Sequence, residues 1–157
     1  LIGEVGVAAA RWFFLERRPD THGNFDLDLA KEKSQKNPVY YVQYAHARCS
    51  SILSGGKIQN DNAKLKMLNK PEELNLIKKI LQLPEIIEDI AEDYQVHRLT
   101  RYVYEVAKAF TDFYEKHKVI DPGNGELTQA RVALVSAAEK TLKEALFLLG
   151  VAAPEKM

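Results

Sequence analysis

The sequence has one cysteine, Cys49, among its 157 residues, and no apolar run approaches the length of a membrane span. A lone cysteine cannot form an internal disulfide, which favours a reducing compartment, so we expect a cytoplasmic protein. Crossing a membrane takes about 20 consecutive, mostly apolar residues in a helix. We therefore expect no membrane partner for this chain.

An excess of charge of one sign is also missing. The 22 Lys and Arg residues balance the 22 Asp and Glu residues, so the formal net charge is zero. A protein that binds duplex DNA mainly through charge carries a clear excess of basic residues. We therefore expect no DNA partner, although a local nucleic-acid site is compatible with this balance.

Recognisable catalytic motifs are absent as well. The sequence contains no glycine-rich phosphate loop, no GxSxG or HExxH motif and no CxxC pair. Its 4 histidines are far apart and show no metal-ligand spacing. We therefore expect no catalytic residue, no metal site and no cofactor in this chain, and no activity of the chain by itself.

Helical periodicity between short turn signals is what the sequence does contain. Apolar residues from 97 to 117 recur in steps of four and three, which is typical of one buried helix face. Strand-like alternation is confined to residues 25–29, where we predict a loop leading into a short helix. The longer predicted helices cover residues 2–17, 37–54, 71–83, 84–94, 97–117 and 127–149. The fold class is therefore all-α, a helical bundle of about five or six helices.

Two further features concern the organisation of the chain. Residues 55–69 are polar and basic, which predicts a long loop and a candidate linker. The chain begins without Met and directly in a helical pattern. We therefore expect a piece of a longer protein.

The stretch NPVYYVQYAHAR, residues 37–48, holds three tyrosines, a histidine and an arginine. On a helical wheel Tyr41, Tyr44 and Arg48 share a face that borders the apolar stripe. Two rings and a guanidinium can stack on exposed bases and bind phosphate. Tyrosines at the edge of a bundle also often bury the ring and leave the hydroxyl in water. The pattern alone leaves both interpretations open.

The remaining side chains of this helix suggest no chemistry. His46 points away from the Tyr41, Tyr44 and Arg48 face and has no carboxylate or cysteine at a ligand or triad spacing. We interpret it as a structural or surface histidine. The positions predicted to face solvent are Tyr40, Gln43, Ala47, Ser50 and Ser51.

Six blocks in a fixed order resemble the C-terminal part of the arginyl-tRNA synthetase family, and they cover nearly the whole chain. The blocks are IGEVGVAAARWFFL, FDLDLA, NPVYYVQYAHAR, FTDFYEKHKVI, ARVALVSAAEKTL and LLGVAAPEKM. The resemblance implies an all-helical anticodon-binding domain of the DALR type over residues 37–157. Residues 1–36 would then be a connecting segment that follows the catalytic core.

The resemblance also implies a function and a partner. The family joins arginine to arginine-specific tRNA using ATP and Mg²⁺, and its HIGH and KMSKS-type motifs carry that chemistry. Neither motif occurs in this sequence, so the chain would bind the tRNA anticodon without catalysing the reaction, as a monomer. The alternative is a helical protein–protein interaction module without nucleic-acid binding.

Five site residues follow from the resemblance. Tyr41, Tyr44 and Arg48 would lie near the anticodon loop, and the helical wheel reaches the same three residues independently. Tyr114 and Met157 resemble residues that pack against splayed anticodon bases; the wheel says nothing of them.

Two positions depart from the family pattern. The DALR stretch reads Gln129-Ala130-Arg131-Val132, and the family's usual arginine before the last methionine is Lys156. Lysine meets phosphate as a point charge and not as a bidentate fork, which weakens any contact expected there. Arg131 could also be a salt-bridge partner at the edge of the core.

Overall fold

A computed structural model of the protein describes residues 1–18, 20–55 and 62–157. Within these ranges the chain forms seven α-helices and one 3₁₀ helix, and no strand. The α-helices are α1 (Ile2–Leu15), α2 (Leu27–Lys31), α3 (Pro38–Ser54), α4 (Pro71–Leu81), α5 (Leu83–Asp93), α6 (His97–Lys116) and α7 (Gly125–Leu148). The prediction of an all-α fold is confirmed. No helix in the described ranges is both long enough and apolar enough to span a membrane.

Side-chain caps explain where two of these helices begin. The Asn37 side chain accepts hydrogen bonds from the amides of Val39 and Tyr40, and Pro38 occupies the first turn of α3, where its missing N–H costs nothing. The Asp26 side chain accepts from the Leu29 amide, 2.9 Å away, and starts α2 in the segment where alternation alone suggested a strand. The predicted beginning of α3 and the short helix near residue 30 are both confirmed.

The first helix differs from its prediction. It ends at Leu15 and not at residue 17, and its backbone is not helical at Gly6, where φ is +81°. A positive φ is readily adopted only by glycine, so this residue interrupts the regular helix near its start.

The core lies between α3, α6 and α7. The predicted stripe on α3 is confirmed by Val42 and Cys49, which are fully buried. The side chains that were expected to form the core of α6 and α7 are buried too: Phe110, Phe113, Leu134, Leu142, Leu146 and Leu149. Burying each such side chain contributes about 1.5–3 kcal/mol, so this cluster dominates the stability of the bundle.

The prediction of a long loop over residues 55–69 is wrong at residues 62–67, where the structure has a short helix. Asn62–Met67 forms a 3₁₀ helix that packs on α7, and Leu68 is buried. Apolar side chains at Met67 and Leu68 attach the segment to the core, an effect that its polar composition concealed. Residues 56–61 of the predicted loop lie outside the described residues.

A buried ion pair fixes α7 to the start of α4. Arg131 Nε donates to Glu73 Oε1 at 2.8 Å, and Arg131 Nη1 donates to the carbonyl oxygen of Lys118 at 2.8 Å. The second carboxylate oxygen of Glu73 accepts from the amides of Asn69 and Lys70, each 3.0 Å away. The interpretation of Arg131 as a salt-bridge partner is confirmed.

The chain reverses direction at the end of α7. Gly150 has a φ of +64°, the left-handed conformation that glycine adopts without a steric penalty. Its amide donates to the carbonyl of Phe147, and the Val151 amide donates to that of Leu146, both at 2.9 Å. Arg11 of α1 donates from Nε to the carbonyl oxygen of Leu149 at 3.0 Å. Beyond this turn the C-terminal tail, residues 151–157, runs back across α3.

Candidate nucleic-acid interface

Two helices bring together four of the five sequence-predicted site residues. Tyr41, Tyr44 and Arg48 lie on consecutive turns of α3, and Tyr114 lies near the end of α6. All four line one cleft of about 130 Å³ between these helices. The resemblance and the wheel therefore selected residues that are neighbours in the fold.

Arg48 is held by aromatic rings in this cleft. Its Cζ atom lies 5.4 Å from the centroid of the Tyr44 ring and 5.2 Å from that of Tyr114. Its Nη2 atom donates a hydrogen bond to the Tyr44 hydroxyl at 2.6 Å. No carboxylate among the residues that the structure describes forms an ion pair with it. Cation–π attraction orients the guanidinium while leaving N–H donors available to a ligand.

The tyrosines of α3 differ in exposure. The half-buried Tyr41 ring packs against Tyr104, with ring centroids 5.1 Å apart. Burial raises the pKa of the Tyr41 hydroxyl, which therefore stays protonated at neutral pH and keeps its donor. Tyr44 is 36% exposed and stacks on Tyr40, with centroids 6.5 Å apart and planes 14° from parallel. Tyr44 is thus the more accessible of the two rings predicted on this face.

Met157 reaches the same surface from the C-terminal tail. It lines a second cleft, of about 370 Å³, together with Lys156, Tyr44 and Arg48. Tyr44 and Arg48 line both clefts, so the two clefts form one continuous surface. We call Tyr41, Tyr44, Arg48, Tyr114 and Met157 the tyrosine–arginine surface.

Two polar residues that hold the tail were missed at the sequence level. Gln43 Nε2 donates to the carbonyl oxygen of Ala152, and His46 Nδ1 lies 2.8 Å from that of Pro154. These contacts bridge 109 and 108 residues of sequence, so nothing within α3 could indicate them. His46 is fully buried, which confirms a structural role and excludes a surface position.

The tail also corrects the predicted solvent face of α3. Ala47 was predicted to face solvent, but it is buried, with 7% of its surface exposed. The reason is that the tail lies beside Gln43, His46 and Ala47 and covers this side of the helix. A wheel of an isolated helix cannot register a segment that packs on it from elsewhere in the chain.

The chemistry of the surface is that of binding. Aromatic rings and a guanidinium can stack on bases, a thioether can pack against them, and the hydroxyls and the guanidinium can donate hydrogen bonds. No group of three or more His, Cys, Asp or Glu residues in the described ranges could hold a metal ion. The arrangement suits a ligand with exposed planar groups and negative charge.

Comparison with known proteins shows which family the sequence matches. Residues 42–157 match the family described as DALR anticodon binding domain. The whole chain is 49% identical to an arginine–tRNA ligase of Citrifermentans bemidjiense and 48% to that of Listeria welshimeri. The chain spans 29% of the length of each of these curated relatives.

Solved structures of arginyl-tRNA synthetases resemble the fold closely. The enzyme of Plasmodium falciparum superimposes with a TM-score of 0.82 at 28% identity, and that of Thermus thermophilus with 0.80 at 29%. Each match covers 98% of this chain and 27% of the solved chain. These TM-scores show that the helices described above are arranged as in these two enzymes.

Proposed function

The chain belongs to the family of DALR anticodon-binding domains, and we propose that it is the part of an arginine–tRNA ligase that holds the anticodon loop of arginine-specific tRNA. The observation that carries this proposal is the tyrosine–arginine surface, where two accessible clefts share Tyr44 and Arg48. Proteins recognise single-stranded loops by stacking splayed bases on aromatic side chains and by binding their edges and phosphates. The family match favours this function over the protein-interaction module that the sequence left open.

Each residue of the surface has a role in this proposal. Tyr44 and Tyr114 stack on bases, and Tyr41, packed against Tyr104, donates from its hydroxyl. Arg48, fixed over two rings, donates to a phosphate or a base edge. Met157 packs against a base in the second cleft, where Lys156 adds a point charge toward phosphate.

The proposal assigns the chemistry to a part of the parent protein outside this chain. The parent attaches arginine to its tRNA with ATP and Mg²⁺, in the cytoplasm. Residues 1–36 connect its catalytic core to residues 37–157, which bind the anticodon. The chain alone is monomeric, needs no cofactor and catalyses nothing.

A binding titration tests the proposal. The chain is titrated at low salt against arginine-specific tRNA and a non-cognate tRNA, because a protein of zero net charge gains little nonspecific affinity. We expect a preference for the cognate tRNA. We expect Tyr44→Ala and Arg48→Ala to weaken binding about tenfold to hundredfold, because stacking contributes about 1–3 kcal/mol per base.

Tyr94→Asn is the matched control. Tyr94 is 79% exposed and lies at the end of α5, far along α6 from the surface. Its φ of 59° is one that asparagine tolerates, so the variant removes an exposed tyrosine without backbone strain. Equal affinity of the parent chain, Tyr44→Ala and Arg48→Ala for cognate tRNA would contradict the proposal.

A further inference from the structure

His46 makes a contact that no binding or catalytic role of α3 explains. Its imidazole is fully buried between α7 and the C-terminal tail. Nδ1 lies 2.8 Å from the carbonyl oxygen of Pro154, and because a carbonyl can only accept, Nδ1 carries the hydrogen and donates it. Nε2 lies 3.6 Å from Glu139 Oε1 and has no hydrogen-bond partner among the described residues.

The burial of the His46 imidazole carries an energetic cost that some interaction has to offset. Burying a polar group without a partner is unfavourable, and Nε2 of His46 is in this situation. An apolar side chain would fill the same space without that penalty. The one hydrogen bond that the ring makes is directed at the tail, so what histidine provides here is attachment of the tail to α3.

The hydrogen bond from His46 to the tail lies close enough to Met157 in sequence to restrict the position of that residue. Gln43 holds the tail at Ala152, and His46 holds it at Pro154. Beyond Pro154 the described residues make no hydrogen bond to the tail. An extended chain spans about 3.3–3.6 Å per residue, so fixing Pro154 confines Met157, three residues later, to within about 10 Å. Pro154 itself has a fixed φ, which stiffens the point of attachment.

We propose that His46 is a positioning residue that seats the C-terminal tail and thereby places Met157 in the cleft it shares with Tyr44 and Arg48. His46 does not touch RNA; it acts through the tail. The effect of His46 on RNA affinity rests on the proposed function, whereas its effect on the tail does not.

Two variants of His46 distinguish a donor at the position of Nδ1 from a polar side chain in general. In His46→Asn the side-chain amide nitrogen can occupy the place of Nδ1 and still donate to Pro154. In His46→Gln the amide extends towards the place of Nε2, so the bond to the tail is lost although the side chain stays polar and of similar size. If His46 attaches the tail, His46→Asn should retain the attachment and His46→Gln should lose it. If the role of His46 were confined to core packing, this difference between the two variants would not appear.

The first readout is the tail itself, without RNA. The chain has two methionines, Met67 and Met157, so ¹³C-methyl labelling of methionine gives two NMR signals. We expect the Met157 signal of His46→Gln to move to the narrow line and shift of an unattached side chain, while that of His46→Asn stays near the parent position. The Met67 signal should be unchanged in both variants and reports that the bundle is folded.

The second readout is affinity for cognate tRNA. We expect His46→Gln to bind about tenfold more weakly, at the low end of the effect of losing one base contact, and His46→Asn to bind as the parent does. Met157→Ala should have a similar effect, and combining it with His46→Gln should add nothing, because both remove the same contact. A full additional loss in the double variant would overturn the proposal.

The outcomes separate this inference from the proposed function. If the Met157 signal moves as expected but neither His46→Gln nor Tyr44→Ala changes RNA affinity, the proposed function fails and the seating of the tail stands. If the Met157 signal of His46→Gln matches the parent, the inference is wrong. If His46→Gln unfolds the bundle, the ¹⁵N spectrum of the His46 imidazole in the parent chain tests the contact without RNA. It must show the hydrogen on Nδ1, the nitrogen that faces the carbonyl of Pro154, and a hydrogen on Nε2 alone would overturn the inference.

Discussion

Arg131 and Arg48 are both fixed by neighbouring side chains, but their surroundings differ in almost every respect. Arg131 is 6% exposed and donates to the buried carboxylate of Glu73 and to a backbone carbonyl. Arg48 is half-buried, lies over the rings of Tyr44 and Tyr114, and donates to a phenolic hydroxyl. A carboxylate neutralises the guanidinium and uses its fork, whereas rings orient it and leave charge and donors for a ligand. The kind of partner therefore distinguishes a structural arginine from a binding one.

The largest expected effect comes from breaking the buried pair. Arg131→Met leaves the Glu73 carboxylate buried without its counter-charge, and we expect the free energy of unfolding to fall by about 3–5 kcal/mol. Urea denaturation followed by circular dichroism measures this change. Arg101→Ala is the matched control, because Arg101 pairs with Glu105 at 3.1 Å on the surface and is 82% exposed. We expect that variant to lose no more than about 1 kcal/mol.

An Arg131→Met variant as stable as Arg101→Ala would show that burial does not separate the two kinds of arginine. It would also mean that the amides of Asn69 and Lys70 alone compensate the Glu73 charge.

The second effect is on binding and not on stability. Arg48→Lys keeps the positive charge but loses the planar fork and most of the attraction to the two rings. We expect affinity for cognate tRNA to fall about tenfold, or about 1.4 kcal/mol. The free energy of unfolding should change by less than about 1 kcal/mol, since exposed cation–π pairs contribute about 0.5–1 kcal/mol. The measurements are a tRNA titration and urea denaturation of the same samples.

Arg101→Lys, at an exposed arginine on α6, provides the reference for a conservative change outside the surface. If Arg48→Lys binds tRNA as that control does, charge alone explains the role of Arg48 and the aromatic surroundings are irrelevant to binding.

The smallest expected effect concerns the acid that precedes Glu73. Glu72 accepts hydrogen bonds from Lys116 at 2.7 Å and His117 at 2.9 Å, and these lower its pKa from 4.5 to about 2. A lowered pKa in the folded state stabilises the protein above the unfolded value, and this contribution is lost as the pH falls from about 4.5 towards 2. We therefore expect Glu72→Gln to be less stable than the parent at about pH 6, with the difference shrinking below about pH 4.5.

Urea denaturation at several pH values follows that difference. Glu88→Gln, at an exposed position of α5, is the control for removing one negative charge. A constant difference between Glu72→Gln and the parent down to about pH 3 would mean that the bonds from Lys116 and His117 do not depend on the carboxylate charge.

Features that depend on neighbouring residues could be predicted from the sequence. The start of α3 follows from Asn37 and Pro38, and its stripe of Val42, Ala45 and Cys49 follows from helical spacing. Both features depend on residues within one or two helical turns of each other, so they can be recognised without knowledge of the tertiary structure. The bordering face of Tyr41, Tyr44 and Arg48 was found in the same way.

Features that depend on distant partners could not. Arg131 and Glu73 are 58 residues apart, and a single sequence shows no pairing between them. His46 and Gln43 bond to carbonyls more than 100 residues away, and backbone carbonyls carry no sequence signal at all. The burial of Ala47 follows from the same contacts. Tyr114 and Met157 entered only through family resemblance, because nothing in their local pattern sets them apart.

The turn at the end of α7 links α1 to the beginning of the C-terminal tail. Arg11 of α1 donates a hydrogen bond to the carbonyl oxygen of Leu149, the residue before Gly150, where the tail begins. The two segments are in close contact here, because a Cβ atom at Gly150 would lie 2.6 Å from the Arg11 guanidinium. Native proteins open locally in cooperative units, and we expect the end of α1 and the start of the tail to form one such unit. We therefore expect deuterium exchange to give a common free energy of opening for the amides of the last turn of α1 and of Val151, and an Arg11→Ala variant to lower it for both.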